Sequence, residues 1–305
     1  MLWAAVAALA TLLAVTAQTP AEADQNQARG VDWSGQGSDR VRGDEDQGGS
    51  QQAWHADKRI TRGREAYRGQ FPHQAGVCFG RLNCCGGSLI SQQWVLTAAH
   101  CLTGKTKDKV TVKLGTNRLD VKEDGRMQIK ASQIISHESF RPNDKYIHHD
   151  IGLVKLQRPV KYNKLIQPVR LPTTEEARDK HHGLWGKISG WGATRTDGYQ
   201  NPKLKWARLP VSQPGKCRFL DGPSAHTQFC TDVYDYKGKG TQGHGTCSGD
   251  SGSPYIADHR LKNTPVQLGV LSYGGLTCGE TAPSVYTHVG SYLPWIKHHT
   301  GIDSG

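Results

Sequence analysis

Apolar and polar positions divide the 305-residue chain into three regimes. Met1 to Ala17 is an almost unbroken apolar run, of the length of a signal peptide and too short for a stable membrane anchor, with small residues that suit cleavage after Ala17 or Ala23. Residues 18–59 are rich in Gln, Gly, Asp and Arg and nearly devoid of aliphatics, so they cannot bury enough apolar surface to fold alone and read as disordered. From Ile60 onward, short β-prone stretches alternate with Gly, Pro, Asp and Asn. They include Trp94–Thr97, Val110–Leu114, Ile151–Leu156, Val266–Leu271 and Val285–Val289, a rhythm that predicts an all-β fold, as barrels or a sandwich. The clear helix signal comes at the end, where Pro294 suits a first turn, Trp295 and Ile296 supply an apolar face and Gly301 suits the stop.

Eight cysteines behind an export signal imply disulfides, because the secretory route is oxidising. A zinc site would need paired Cys/His knuckles, whereas these cysteines stand singly apart from Cys84 and Cys85, and no metal is expected. The pairs His148-His149, His181-His182 and His298-His299 lack the His-Glu-x-x-His spacing of a zinc hydrolase. The net charge of +11 is spread along the chain without a long basic run, which argues for a basic surface and against a nucleic-acid partner. Such a surface can still steer acidic substrates.

Three stretches carry candidate chemistry. Gly245-Thr-Cys-Ser-Gly-Asp-Ser-Gly-Ser-Pro254 sets Ser251 between glycines, where the chain can turn sharply and backbone N–H groups can approach a carbonyl. Leu96-Thr-Ala-Ala-His-Cys101 puts His100 beside a cysteine that can fix the ring's position. His148-His-Asp-Ile-Gly-Leu-Val154 puts Asp150 at the entrance to an apolar strand, where a carboxylate needs a partner. Alone, each has an ordinary reading: a turn, an exposed or structural histidine, a strand-end cap.

In this order the three stretches resemble the trypsin/chymotrypsin-like serine proteases. Cys85-Gly-Gly-Ser-Leu-Ile90, Ser189-Gly-Trp-Gly192, Ser272-Tyr-Gly-Gly275 and Pro294-Trp-Ile296 extend the likeness over residues 60–305. The resemblance implies two antiparallel six-stranded β-barrels, roughly residues 60–170 and 171–305, with a short C-terminal helix and the site between the barrels. It implies a secreted, monomeric serine endopeptidase without a cofactor, acting on proteins or peptides and met by an activating protease and by protein inhibitors. Residues 1–17 would be the signal peptide and 18–59 a disordered pro-segment.

By the same resemblance, Ser251 attacks, His100 serves as general base and then acid, Asp150 orients the ring, and the N–H groups of Gly249 and Ser251 form an oxyanion hole. Cutting after Arg59 would free the Ile60 amine to pair with Asp250, although Ile60-Thr-Arg-Gly63 departs from the family's usual Ile-Val-Gly-Gly. Disulfides Cys85–Cys101, Cys217–Cys230 and Cys247–Cys278 follow from the resemblance. Cys78 and Cys84 are left over, flanking a plausible hairpin, and are expected to pair with each other.

The resemblance assigns the substrate pocket to Gly245, Ser272, Gly274 and Ser284. Trypsins carry an aspartate where this chain has Gly245, so cleavage is expected after large apolar residues, with an elastase-like preference as the alternative because Ser284 replaces a common glycine. The run Gly245-Thr-Cys and the ending Thr300-Gly-Ile302 also resemble the arthropod brachyurin branch, whose members have broad specificity. A rival reading, a catalytically silent relative acting as a binding protein, would be expected to show a substituted triad or a lost Gly249, and this chain retains them all.

Overall fold

A computed structural model describes residues 63–142, 147–179, 181–193, 198–213, 216–217, 226–232, 245–258, 264–274 and 283–304. The expected signal peptide and pro-segment, with Arg59 and Ile60, lie outside these residues, as does Cys278.

The first half closes into a six-stranded antiparallel barrel. Its strands are β2 (Gln74–Cys78), β3 (Cys84–Leu89), β4 (Trp94–Thr97), β5 (Thr111–Leu114), β6 (Met127–Ser136) and β7 (Gly152–Leu156), in the order β2-β3-β4-β7-β6-β5. Val77, Leu89, Val95, Val112, Leu114, Val154 and Leu156 fill its interior. A two-residue strand β1 (Arg64–Glu65) leaves this barrel and edges the second sheet.

The second half uses β8 (Trp185–Gly190), β9 (Lys205–Pro210), β10 (Gln228–Thr231), β11 (Pro254–Asp258), β12 (Pro265–Tyr273) and β13 (Ser284–His288), in the order β9-β8-β11-β12-β13-β10. Just past β9, Val211 bridges Thr231 of β10, and the Ser212 N–H donates to the Cys230 carbonyl at 2.8 Å. These contacts join the two ends of the series, so the six strands close on themselves and the expected double barrel is what forms.

A shared apolar layer fixes one barrel against the other. Trp94, Leu96, Ile151 and Leu153 from the first pack with Ile256 and Val270 from the second and with Val289 and Ile296 near the C-terminus. Buried polar ties add direction to this non-directional packing: Ser88 Oγ donates to Gln267 Oε1, and Ser189 Oγ to Gln74 Oε1, both at 2.6 Å. The C-terminal helix (Leu293–Thr300) has Pro294 in its first turn and stops at Gly301, whose φ of 72° lies in the left-handed region open to glycine. A second helical element, one turn over Ala99–Leu102, follows β4 directly. It carries His100.

Candidate active site

The strands deliver three polar groups to one place from distant parts of the chain. β4 ends at Thr97, and the following turn presents His100, whose neighbour Cys101 is bonded to Cys85 on β3. β7 is entered through His149, at a left-handed φ of 53°, and Asp150 follows with its side chain fully buried. The Asp150 carboxylate accepts from the His100 backbone N–H at 2.9 Å and bonds the His100 ring at Nδ1 at 2.7 Å. A neutral imidazole held by an Nδ1–H donor has Nε2 free to accept a proton.

The buried carboxylate has further partners in the second barrel. Ser272 Oγ, on β12, donates to Asp150 Oδ2, and Thr287 Oγ1, on β13, donates to the Asp150 main-chain oxygen at 2.8 Å. The resemblance places Ser272 among the pocket residues; in the structure its hydroxyl belongs to Asp150. Thr287 was missed, because nothing local in Val-Tyr-Thr-His marks a residue whose partner is 137 positions away.

Ser251 sits between Gly249 (φ 95°) and Gly252 (φ 81°), on a turn that L side chains rarely adopt. A Cβ at Gly252 would stand 2.3 Å from Thr97 Oγ1 and 2.5 Å from the Gly86 carbonyl. The Ser251 carbonyl accepts from the Gly86 N–H at 2.8 Å, which pins the turn to β3 next to the Cys85–Cys101 bridge. Cys101 Sγ lies 3.8 Å from that carbonyl and 3.6 Å from His100 Nε2, so one disulfide abuts both the imidazole and the serine turn. With its two sulfurs bonded to each other, the Cys85, His100 and Cys101 group offers an ion a single nitrogen.

Gln200 is a second residue the sequence did not flag. Its side-chain amide accepts from the Cys84 N–H at 3.0 Å, donates to the Cys84 carbonyl and reaches the Gly249 carbonyl at 3.4 Å. It thus braces Gly249 from the side.

Asp250, the residue before Ser251, is turned into the protein interior. Its buried carboxylate accepts from the Gly192 N–H at 2.7 Å and the Cys247 N–H at 3.0 Å. Cβ atoms at Gly190 and Gly192 would fall 2.1 and 2.4 Å from it, which explains the glycines of Ser189-Gly-Trp-Gly192. Burial pushes the Asp250 carboxyl up to about 6, and among the described residues no cation pairs with it.

Near Gly245, which is buried, Thr246 Oγ1 and Ser284 Oγ share a hydrogen bond of 2.7 Å. A Cβ at Gly274 would face them at 3.2 and 3.9 Å. Gly274, Ser284 and Thr246, which the sequence did not flag, are therefore neighbours. Ser253 fills the gap behind the turn: a Cβ at Gly86 would stand 1.9 Å from its Oγ, which is buried and has no hydrogen-bond partner among the described residues. Cys78 bonds Cys84 and Cys217 bonds Cys230; Cys247 is also disulfide-bonded, while its expected partner, Cys278, lies outside the described residues.

A double barrel holding a buried aspartate, an imidazole and a glycine-flanked serine between its halves defines a class of hydrolase. The family model described as Trypsin matches residues 60–296. The chain is 36% identical to a protein named collagenase from Hypoderma lineatum over 251 residues, 80% of this chain and 88% of that one. It is 33% identical to chymotrypsin-2 of Vespa crabro over 78% of this chain and 98% of that one, and 33% identical to human trypsin-3 over 81% and 75%. The chain belongs to the trypsin family and is a serine endopeptidase.

Proposed function

We propose that the protein is a secreted zymogen that, once cut after Arg59, cleaves polypeptides after large apolar residues through an acyl-enzyme formed on Ser251. The observation that carries this reading is the pair of hydrogen bonds from His100, ring and backbone, to one buried aspartate, itself gripped from the other barrel. His100 Nε2 takes the Ser251 proton as the serine oxygen attacks the scissile carbonyl. The N–H groups of Gly249 and Ser251 receive the developing oxyanion, a contribution on the order of 3 kcal/mol per donor in such sites. His100 then protonates the leaving amine, and the acyl group is released to water by the reverse sequence of proton transfers.

Activation is assigned to Asp250. A carboxylate this deeply buried, with two backbone N–H donors, is costly to ionise, and an ammonium arriving at Ile60 would compensate it. The pocket reading rests on Gly245, which brings no carboxylate, and on Thr246, Gly274 and Ser284, which are small and uncharged. The Thr246–Ser284 bond sets the depth of the pocket, and a relative named chymotrypsin supports the apolar preference.

The test is hydrolysis of chromogenic peptides ending in Phe, Leu, Ala or Arg by protein cut after Arg59. Cleavage after Phe or Leu is expected to exceed cleavage after Arg by at least about a hundredfold, the scale set by a missing charge partner in a buried pocket. A preference for Arg would overturn the pocket reading.

A further inference from the structure

The turn that presents Ser251 carries a second hydroxyl, on Ser253, for which the chemistry at Ser251 has no use. Ser253 is 3% exposed, and its Oγ makes no hydrogen bond among the described residues. Burying a hydroxyl without a partner is unfavourable, so the position calls for one. The side chain is also held in place. The Ser253 N–H donates to the Asp250 carbonyl at 3.0 Å, and the Ser253 carbonyl accepts from the Leu271 N–H at 2.9 Å. On one flank the Gly86 backbone presses so close that a Cβ there would stand 2.9 Å from the Ser253 Cβ.

Ser253 lines the same small cavity as Asp250. A Cβ at Gly190 would stand 2.1 Å from Asp250 Oδ1 and 3.1 Å from Ser253 Oγ, so these two oxygens lie within 5.2 Å of each other. One nitrogen that bonds two oxygens at about 2.8 Å each, at a tetrahedral angle, needs them about 4.6 Å apart. Asp250 Oδ1 accepts from the Gly192 N–H and keeps a second lone pair. The other hydroxyls of the lining are engaged elsewhere: Ser189 Oγ donates to Gln74, and Thr246 Oγ1 bonds Ser284. Burial pushes the Tyr286 phenol above its ordinary range, so it stays neutral and Asp250 is the charge-bearing group of the lining.

Three occupants could satisfy the hydroxyl, and the cavity favours one. As it stands the space does not admit a water molecule. A hard metal ion takes about six or more oxygens, and one carboxylate with a hydroxyl falls short of that. A primary ammonium fits on both counts: it carries three donors and no acceptor, and its charge opposes that of Asp250. Parting the two oxygens to admit it costs packing, which the attraction between unlike charges in a buried site offsets. Ile188 and Leu271, also in the lining, offer apolar surface to the side chain behind such an ammonium.

We propose that Ser253 is a second ligand of the Ile60 ammonium, its Oγ accepting one N–H while the Asp250 carboxylate accepts another. The inference rests on the activation reading given above and adds to it a residue that acts with opposite sign in the two forms of the chain. Before cutting, the hydroxyl is a buried group without a partner and destabilises the fold. After cutting, it is satisfied by a charged donor and stabilises it. One oxygen atom thus widens the free-energy gap in favour of the cut form, and the ordered Ser251 turn becomes the more populated state.

The test compares Ser251→Ala protein before and after cutting at Arg59, the serine being removed to prevent self-digestion. Adding Ser253→Ala is expected to leave the urea midpoint of the uncut form unchanged or raised and to lower that of the cut form. A hydroxyl with a merely structural role would shift both midpoints alike. In cut protein that retains Ser251, kcat/KM on a chromogenic peptide is expected to fall in alkali as the ammonium loses its proton. Ser253→Ala should move that fall about one pH unit lower, a tenfold weaker hold on the proton. Equal midpoint shifts in the two forms, or an unmoved alkaline limb, would overturn the role of Ser253. Asp250→Asn separates this from failure of the activation reading. If Asp250→Asn abolishes the gain in midpoint on cutting while Ser253→Ala does not reduce it, the Ser253 role alone is wrong. If Asp250→Asn leaves that gain intact, the activation reading is wrong, and the Ser253 role falls with it.

Discussion

At the scale of single residues, the site is organised by hydrogen bonds onto one carboxylate. Asp150 receives the His100 ring and backbone from its own barrel and the Ser272 hydroxyl from the other, so the aspartate is oriented by a group that no mechanism requires to touch substrate. Removing one donor to a buried carboxylate costs about 1.5–3 kcal/mol, so Ser272→Ala is expected to lower kcat roughly ten- to a hundredfold with KM little changed. Steady-state kinetics on a short chromogenic peptide checks this; an effect confined to KM would contradict the orienting role. His100, Asp150 and Ser251 could be named from the sequence because each sits in a short string of its own. The contacts of Ser272, Thr287, Gln200 and Thr246 were not legible. Their partners are tens to more than a hundred positions away, and no periodicity or turn signal encodes which hydroxyl meets which carboxylate.

Among the elements, strands buried in the barrel wall were legible because their apolar runs are nearly continuous, as in β7 and β12. The ten-residue β6 was not picked out, since Met-Gln-Ile-Lys-Ala-Ser-Gln alternates polar with apolar and its core-facing residues, Ile129 and Ala131, are few. The single turn carrying His100 was also missed, being too short for helical periodicity to register and lacking any capping side chain. The β2–β3 hairpin depends on a covalent staple as well as its ladder. Replacing both Cys78 and Cys84 with Ala is expected to lower stability by about 2 kcal/mol, the loop-closure value for so small a ring, read as a shift in the urea midpoint with unchanged slope. An unshifted midpoint would mean that the ladder alone holds the turn that carries Arg81.

At the scale of the whole molecule, two buried groups set opposite pH slopes. Burial pushes Asp250 up to about 6 from 3.8, so the folded chain binds the proton more tightly, and the stabilisation present in acid is lost as pH rises through that interval. Burial pushes His73 down to about 4 from 6.5, so its contribution is present above 6.5 and lost as pH falls toward 4. Each slope amounts to about 3 kcal/mol across its window, and in the uncut chain they offset each other. Asp250→Asn removes one of them. Thermal unfolding of the uncut variant is expected to show Tm falling more steeply than the parent's between pH 6.5 and 4; parallel curves would contradict the assignment.

The barrels, the shared apolar layer and the bridge between Cys85 and Cys101 set the Ser251 turn beside the His100–Asp150 pair, and the central claim is that Ser251 is the group they activate. Treating protein cut after Arg59 with a sulfonyl fluoride and mapping the adduct by peptide mass spectrometry tests this most directly. One adduct per chain on Ser251, lost in the His100→Ala variant, is the expected result. An adduct on another residue, or equal labelling of Ser251 without His100, would contradict it.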